Sequence, residues 1–219
     1  MLVIGHRGAA GIAPENTLDA LKAGRDAGAD ILEFDVRLTS DNVPVLSHDA
    51  RLHGIRVSRT TLSDLKKHGD VTTLQEVLET FWGKVLLNVE LKPLSDVTVV
   101  YDLVKKYIKS NDDWANIVVS SFHVRLLHAL RRQSPHIRLA LLHSINPFSF
   151  VTFGRQLQLS AVGWHRLHVN TLAVEIAKRA GLFTYVYTVN RPQAAARLEQ
   201  RGIDGIVTDY PNQLTKLVQ

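Results

Sequence analysis

The 219-residue sequence contains no cysteine. This absence excludes disulfide bonds and thiolate metal sites, so any bound metal would need oxygen or nitrogen ligands. It also fits a reducing compartment. No apolar run approaches the roughly 18 residues that a membrane helix needs, and no signal peptide is visible behind Met1. We therefore expect a cytoplasmic protein without a stable membrane association.

The composition is that of an ordinary globular protein, with 45% hydrophobic and 21% charged residues. This length suits one large domain, and we expect residues 1–219 to form a single one. The net charge of +5 is interpreted mainly as a solvated basic surface, with steering of an anionic substrate as the alternative. Nucleic-acid binding is not expected, because the basic cluster lacks interleaved aromatics and a known fold signature. That cluster comprises Arg125, Arg131, Arg132 and Arg138. The oligomeric state stays open.

Short apolar runs alternate with amphipathic stretches along the chain. The runs typical of strands cover 2–5, 31–36, 43–47, 85–90, 117–121, 138–142, 160–164, 183–188 and 204–207. Such alternation predicts a parallel sheet covered by helices, and eight strand–helix units form a (β/α)₈ TIM barrel of the α/β class. The run at 43–47 follows its predecessor after a tight turn, so we expect a small hairpin insertion after the second strand. The alternative, a doubly wound open sheet, would usually carry a glycine-rich phosphate loop, which is absent after the first strand.

Charged residues cluster at the ends of the predicted strands, where barrel active sites lie. Because side chains alternate along a strand, Glu33 and Asp35 share one face, as do Glu90 and Lys92. Buried acids are costly unless they pair or bind a metal. One site for a divalent cation and a phosphate would satisfy the three acids together with Lys92 and Arg7.

Each of these residues also has a structural interpretation. Glu33 and Asp35 could form a buried ion network with Arg7 and Arg37, without any catalytic role. A single histidine is more often structural than catalytic, and an aromatic residue at a strand end is more often part of the core. The clustering of many such residues at strand ends is therefore stronger support for a site than any one of them.

Seven short motifs occur in a fixed order along residues 3–211. They are His6-Arg7-Gly8, Pro14-Glu15-Asn16-Thr17, Glu33-x-Asp35, His48-Asp49, Glu90-x-Lys92, Ser121-Phe122 and Asp204-Gly205-Ile206-Val207-Thr208-Asp209-x-Pro211. Together they resemble the glycerophosphodiester phosphodiesterase family, and the short chain is similar to its cytoplasmic bacterial members. Seven motifs in sequence are far more specific than one.

The resemblance implies a (β/α)₈ barrel that hydrolyses glycerophosphodiesters to an alcohol and sn-glycerol 3-phosphate, with a divalent cation, Mg²⁺ or Ca²⁺. It implies metal ligands at Glu33, Asp35 and Glu90, and acid/base catalysis by His6 and His48. The residues that it places against the substrate are Arg7, Lys92, Phe122, Tyr187 and Asn190. It leaves open which histidine is the acid, and whether water or a substrate hydroxyl attacks.

Two departures from the family pattern concern the alcohol part of the substrate. Tyr187 stands where the family usually has Trp in a Trp-Thr-x-Asn motif, and the usual Arg-Thr-Thr-x-Gly stretch has no match in 52–57. The preferred head group is therefore open. A related phosphodiesterase acting on lysophospholipids is one alternative, which would favour an apolar mouth; Phe148, Phe150 and Phe153 are its candidates. A non-catalytic phosphodiester-binding module is the other, although both histidines are present.

Overall fold

The computed structural model describes residues 1–215. The strands in this range are β1 (Leu2–Gly5), β2 (Ile31–Leu38), β3 (Pro44–Leu46), β4 (Arg51–Leu52), β5 (Ile55–Arg56), β6 (Leu86–Leu91), β7 (Ile117–Ser121), β8 (Arg138–His143), β9 (Ala161–His165), β10 (Phe183–Tyr187) and β11 (Gly205–Thr208). All except β3, β4 and β5 are parallel and form one closed barrel. The predicted TIM barrel is therefore confirmed.

The barrel closes because β1 is hydrogen-bonded to both β11 and β2. The remaining barrel strands follow one another in chain order from β2 through β6 to β11. The hairpin insertion is also confirmed, since β3 runs antiparallel to β2. A second hairpin, formed by β4 and β5, was not predicted, because strands of two residues leave no alternating pattern to detect.

Helices connect the barrel strands and cover their outer face. Those described are α1 (Leu18–Asp26), α2 (Leu62–Leu65), α3 (Leu74–Phe81), α4 (Thr98–Lys105), α5 (Val124–Gln133), α6 (Ser149–Leu157), α7 (Thr171–Arg179), α8 (Pro192–Gln200) and α9 (Pro211–Leu214). Local sequence sets several of their starts. The Thr17 hydroxyl accepts a hydrogen bond from Ala20 N at the start of α1, and Thr73 with Glu76 forms the predicted capping box of α3.

Two apolar clusters lie on opposite sides of the barrel wall. The larger packs the helices against the strands and includes Phe34, Phe81 and Trp164, all fully buried. The smaller is formed by strand residues on the opposite face, among them Ile4 and Val207. Because both faces of the strands are buried, most of their residues are apolar.

The three phenylalanines considered for an apolar mouth instead belong to the packing around α6. Phe150 is 2% exposed and lies edge-on to Trp164 with the ring centroids 5.9 Å apart. Phe148 and Phe153 are half-buried against the same cluster. That candidate for an apolar mouth is therefore wrong. No helix within residues 1–215 has the length and apolar character that a transmembrane span requires.

The basic cluster near α5 is partly structural. The Arg131 guanidinium donates to backbone carbonyl oxygens on both sides of the α5–β8 turn and at the end of α6. The accepting residues are Ser134, Pro135, Ile137, Leu157 and Gln158. This arginine therefore satisfies carbonyl groups that the helix ends leave free.

Candidate active site

The loop after β1 presents His6 and Arg7 at the carboxyl end of the barrel. Arg7 N donates to Glu33 Oε2 at 2.8 Å, which ties the loop to β2. Arg7 has a φ of 49°, in the left-handed region that costs a residue with a Cβ about 1–2 kcal/mol. Gly8 follows with a φ of 87°, and a Cβ there would lie 2.4 Å from the backbone of α1. The close approach of helix and loop therefore requires glycine at this position.

Three carboxylates converge at the ends of β2 and β6. Glu33 and Asp35 come from the same face of β2, and Glu90 lies opposite Asp35 in the parallel register. One carboxylate oxygen from each of the three lies within 4.8 Å of the other two. Asp35 is 1% exposed and Glu33 4%. Buried acids this close repel one another, so the cluster needs positive charge.

Lys92 and Arg7 supply part of that charge. Lys92 Nζ lies 2.9 Å from Asp35 Oδ1 and also contacts the carboxylate of Glu90. Arg7 Nε lies 3.4 Å from Asp35 Oδ2, while its Nη1 donates to the Glu15 carboxylate at 2.7 Å and 2.8 Å. Burial on its own would raise the pKa of Asp35, but the charge and hydrogen bond of Lys92, the hydrogen bond from Asn16 and the charge of Arg7 together outweigh it and hold that pKa below its ordinary value.

Glu33, unlike Asp35 and Glu90, forms no ion pair with a cationic side chain within residues 1–215. Its Oε1 is buried and has no hydrogen-bond partner within residues 1–215. Burial, and then the charge of Asp35, raise the pKa of Glu33 to about 8. The same two causes raise the pKa of Glu90 above its ordinary value, although Lys92 opposes them. An orphaned carboxylate oxygen facing two other carboxylates is a donor set that fits a hard divalent cation, so this cluster could hold a metal.

His6 is held by Asp209, which follows β11. The ring Nδ1 lies 2.5 Å from Asp209 Oδ1. Asn190 fixes that carboxylate: its Nδ2 donates to Asp209 Oδ2 at 2.6 Å, and its Oδ1 accepts from Asp209 N at 2.9 Å. Burial lowers the pKa of His6, but the hydrogen bond to Asp209 and the charge of Glu33 raise it more, leaving it above 6.5.

Asn190 was predicted to contact the substrate. The structure places its side chain on Asp209, where it also accepts a hydrogen bond from the Thr208 hydroxyl at 3.1 Å. It therefore supports His6 through Asp209, and its contact with the substrate stays a prediction.

His48 follows β3 and is more open than His6. Its side chain is 38% exposed, and Nδ1 lies 2.8 Å from Asp49 Oδ1. Arg37 donates to the His48 carbonyl oxygen through Nε at 3.1 Å and Nη2 at 2.7 Å. The alternative that placed Arg37 in an ion network with Glu33 and Asp35 is therefore wrong, since its guanidinium donates to the backbone of the His48 loop.

One pocket of about 160 Å³ joins these groups. Nine of the ten predicted site residues line it: His6, Arg7, Glu33, Asp35, His48, Glu90, Lys92, Phe122 and Tyr187. The last two form an aromatic wall, with ring centroids 5.9 Å apart and ring planes at 87°. The Tyr187 hydroxyl donates to the His143 carbonyl oxygen at 2.6 Å, which fixes the orientation of that wall.

The same pocket also contains polar atoms that the sequence did not suggest. Asn88 Oδ1, Ser120 Oγ and Tyr185 Oη are buried, and they have no hydrogen-bond partner in the part of the chain that is described. Buried polar groups without partners are costly. These three are therefore available to water or to the hydroxyl groups of a bound substrate.

Sequence reasoning missed the residues that support the others. Asn16 donates from Nδ2 to Asp35 Oδ2 at 2.9 Å and accepts from Asp35 N at 3.0 Å, and Glu15 binds Arg7. Asp209, which binds His6, was given no role beyond its place in the last of the seven motifs. The available signal was the occurrence of all three within the recognised motifs, but a motif does not state which side chain a supporting residue contacts.

The chain matches one protein family along nearly its whole length. The model of the glycerophosphoryl diester phosphodiesterase family matches residues 6–213. A glycerophosphodiester phosphodiesterase of Caldanaerobacter subterraneus subsp. tengcongensis is 31% identical, over 100% of this chain and 98% of that relative.

Solved structures have the same fold. A glycerophosphodiester phosphodiesterase from Thermotoga maritima superposes with a TM-score of 0.82 at 28% identity, over 99% of this chain and 98% of the other. An Oleispira antarctica phosphodiesterase in complex with the product sn-glycerol-3-phosphate has a TM-score of 0.89 at 24% identity, over 100% and 96%, and shows the shared fold. The family match and the full-length relative establish that the chain belongs to the glycerophosphoryl diester phosphodiesterase family, and is thus a phosphoric diester hydrolase.

Proposed function

We propose that the chain hydrolyses glycerophosphodiesters to an alcohol and sn-glycerol 3-phosphate. The observation that carries the proposal is the convergence of three carboxylates, two cationic side chains and two histidines on one pocket. The pocket volume of about 160 Å³ is close to the ~150 Å³ that holds a benzene ring. That room suits a phosphate with a three-carbon glycerol and excludes a fatty acyl chain from the pocket itself.

Arg7 and Lys92 are proposed to bind the phosphate. The Lys92 ammonium has three donors, of which two face Asp35 and Glu90, so one remains for a phosphate oxygen. Preorganised cationic donors stabilise the charge that builds on phosphate oxygens in the pentavalent transition state. Mg²⁺ or Ca²⁺, held by Glu33, Asp35 and Glu90, would supply further positive charge beside the phosphate.

His6 and His48 are proposed as the proton-transfer residues. A bond forms between phosphorus and the attacking oxygen while the bond to the alcohol oxygen breaks. One histidine takes the proton of the attacking hydroxyl, and the other gives a proton to the leaving oxygen, each worth ~10²–10⁴-fold in rate. Because Asp209 binds His6 through Nδ1, Nε2 is the atom left to exchange a proton with the substrate.

The test is hydrolysis of glycerophosphocholine and glycerophosphoethanolamine by the purified protein. Activity is expected to be lost in EDTA and restored by Mg²⁺ or Ca²⁺, with sn-glycerol 3-phosphate as the product. Glu33→Gln should stay inactive after metal addition, whereas Glu79→Gln, an exposed acid on α3, should behave like the wild type. Full activity in EDTA, or release of phosphocholine in place of choline, would contradict the proposal.

Cleavage of lysophospholipids is the second candidate, favoured by the exposed apolar side chains of the strand-end loops. Ile145 after β8 is 76% exposed, Leu167 after β9 74%, and Phe122 after β7 38%. An acyl chain too large for the pocket could lie across them. Comparison of kcat/KM for lysophosphatidylcholine and glycerophosphocholine separates the two candidates. An Ile145→Ser variant should lower only the lysophospholipid value if this rim holds an acyl chain.

A further inference from the structure

A groove lined by four arginines adjoins the active-site pocket. It has a volume of about 600 Å³ and lies between the loop after β9 and the exposed side of α8. Its basic residues are Arg166, Arg191, Arg197 and Arg201, and no acidic residue of the described chain lines it. All four arginines are exposed. The groove is therefore a concave surface with charge of one sign, the kind of shape that focuses the field on an anion.

None of the four guanidinium groups forms an ion pair within residues 1–215. Arg166 Nη1 donates to the Thr188 carbonyl oxygen at 3.1 Å, and Arg201 Nη2 to the Thr171 hydroxyl at 3.2 Å. These contacts are with uncharged acceptors and leave the charges uncompensated. By contrast, Arg179 on the neighbouring helix α7 has the carboxylate of Glu175 4.0 Å away.

The groove adjoins the catalytic pocket at Thr188, which lines both. From Arg191, which directly precedes α8, the basic residues extend along the helix to Arg201. Ten residues at a helical rise of 1.5 Å correspond to roughly 15 Å. Arg166, which donates to the Thr188 carbonyl oxygen, and Arg191, three residues after Thr188, are thus the arginines beside the pocket. A ligand whose reacting phosphate lies in the pocket could place a second anionic group between them.

We propose that this groove is an extension of the active site that binds a second phosphate group, carried by the alcohol part of the phosphodiester substrate. The inference rests on the proposed function. Phosphate is the favoured anion, because guanidinium groups bind its oxygens in bidentate geometry and several can surround one dianion. The preferred substrates are accordingly glycerophosphodiesters whose alcohol is itself phosphorylated.

The test compares kcat/KM for glycerophosphoglycerol and for glycerophosphoglycerol phosphate, at low salt and at 0.3 M NaCl. The wild type should prefer the phosphorylated substrate at least tenfold at low salt, and less at high salt, where exposed charges are screened. Arg191→Gln should reduce kcat/KM for the phosphorylated substrate about threefold, and Arg191→Gln with Arg166→Gln about tenfold. Arg179→Gln, the matched control on α7, should preserve the preference.

Equal kcat/KM for the two substrates in the wild type, or equal losses for both in the arginine variants, would overturn the inference. Hydrolysis of glycerophosphoglycerol, whose alcohol carries no phosphate, shows separately whether the proposed function holds, since a protein inactive on both substrates has failed that proposal first. Sedimentation with phosphatidylglycerol vesicles tests whether the groove binds a membrane surface instead. Arginine-dependent vesicle binding without any preference between the soluble substrates would assign the groove to a membrane surface and refute the substrate extension.

Discussion

Binding of Mg²⁺ to the metal-free protein at pH 7 is expected to release about 0.9 proton from Glu33. Burial and the charge of Asp35 raise the pKa of Glu33 to about 8, so about ten of every eleven molecules carry that proton at pH 7. A carboxylate must be deprotonated to bind a metal, and the cation displaces the proton. At pH 9 only about a tenth of the molecules remain protonated, and the release should fall to about 0.1.

Calorimetric titration with MgCl₂ in buffers of different ionisation enthalpy measures this number. The slope of the observed enthalpy against the buffer's ionisation enthalpy is the number of protons released. Ca²⁺ should give the same slope, and so should the Glu79→Gln variant, whose altered residue is exposed on α3. A release below about 0.3 proton at pH 7, or one that does not fall between pH 7 and pH 9, would refute the reasoning.

The same pKa sets the pH dependence of stability without metal. The pKa of Glu33 is about 8 in the folded protein and 4.5 as its ordinary value, so the folded state binds the proton more tightly. Its stabilising contribution is complete below pH 4.5 and is lost as the pH rises towards 8. Between pH 5 and pH 7 the free energy of unfolding in EDTA should fall by roughly 2.5 kcal/mol. Urea unfolding measures it, and a flat profile would contradict the raised pKa.

The remaining predictions concern the proton-transfer residues and the aromatic wall. His6→Ala and His48→Ala should each lower kcat by two or more orders of magnitude in a folded protein. The double variant should be little worse than either single variant. If a single variant keeps more than about a tenth of the wild-type kcat, the altered histidine has a structural role only. Asp209→Asn replaces the charged acceptor of the hydrogen bond that raises the pKa of His6 with a neutral amide, so the limb of the pH–rate profile that His6 controls should move to lower pH. An unshifted profile would show that Asp209 does not raise the pKa of His6. Tyr187→Trp should change the ratios of kcat/KM among three head groups, by roughly 10–200-fold at most; identical ratios would show that Tyr187 is packing alone.

The barrel and the acidic cluster were predictable from local patterns. The period of two in a strand places Glu33 and Asp35 on one face whatever the rest of the chain does. That Glu90 joins them depends only on the parallel register, in which it lies opposite Asp35. The strand-end rule for barrels is therefore sufficient to assemble the three carboxylates from sequence.

The supporting contacts were not predictable in the same way. His6 and Asp209 are 203 residues apart, and they meet only because β1 and β11 close the barrel. Arg37 follows Asp35 on the same face of β2, yet its guanidinium donates to the His48 carbonyl. The direction of a long side chain is decided by the acceptors within its reach, and these are set by the three-dimensional packing of the loops.

The charges around the pocket explain why Glu33 differs from its neighbours. Three carboxylates face two cationic side chains, Arg7 and Lys92, and Arg7 is shared with the Glu15 carboxylate, so negative charge is left uncompensated in a buried setting. In the metal-free protein a proton on Glu33 removes it, and this is the raised pKa. A divalent cation in place of that proton would add positive charge where the single negative charge of a phosphodiester is proposed to bind. The burial that raises the pKa of Glu33 would therefore also make binding of the anion depend on prior binding of the cation.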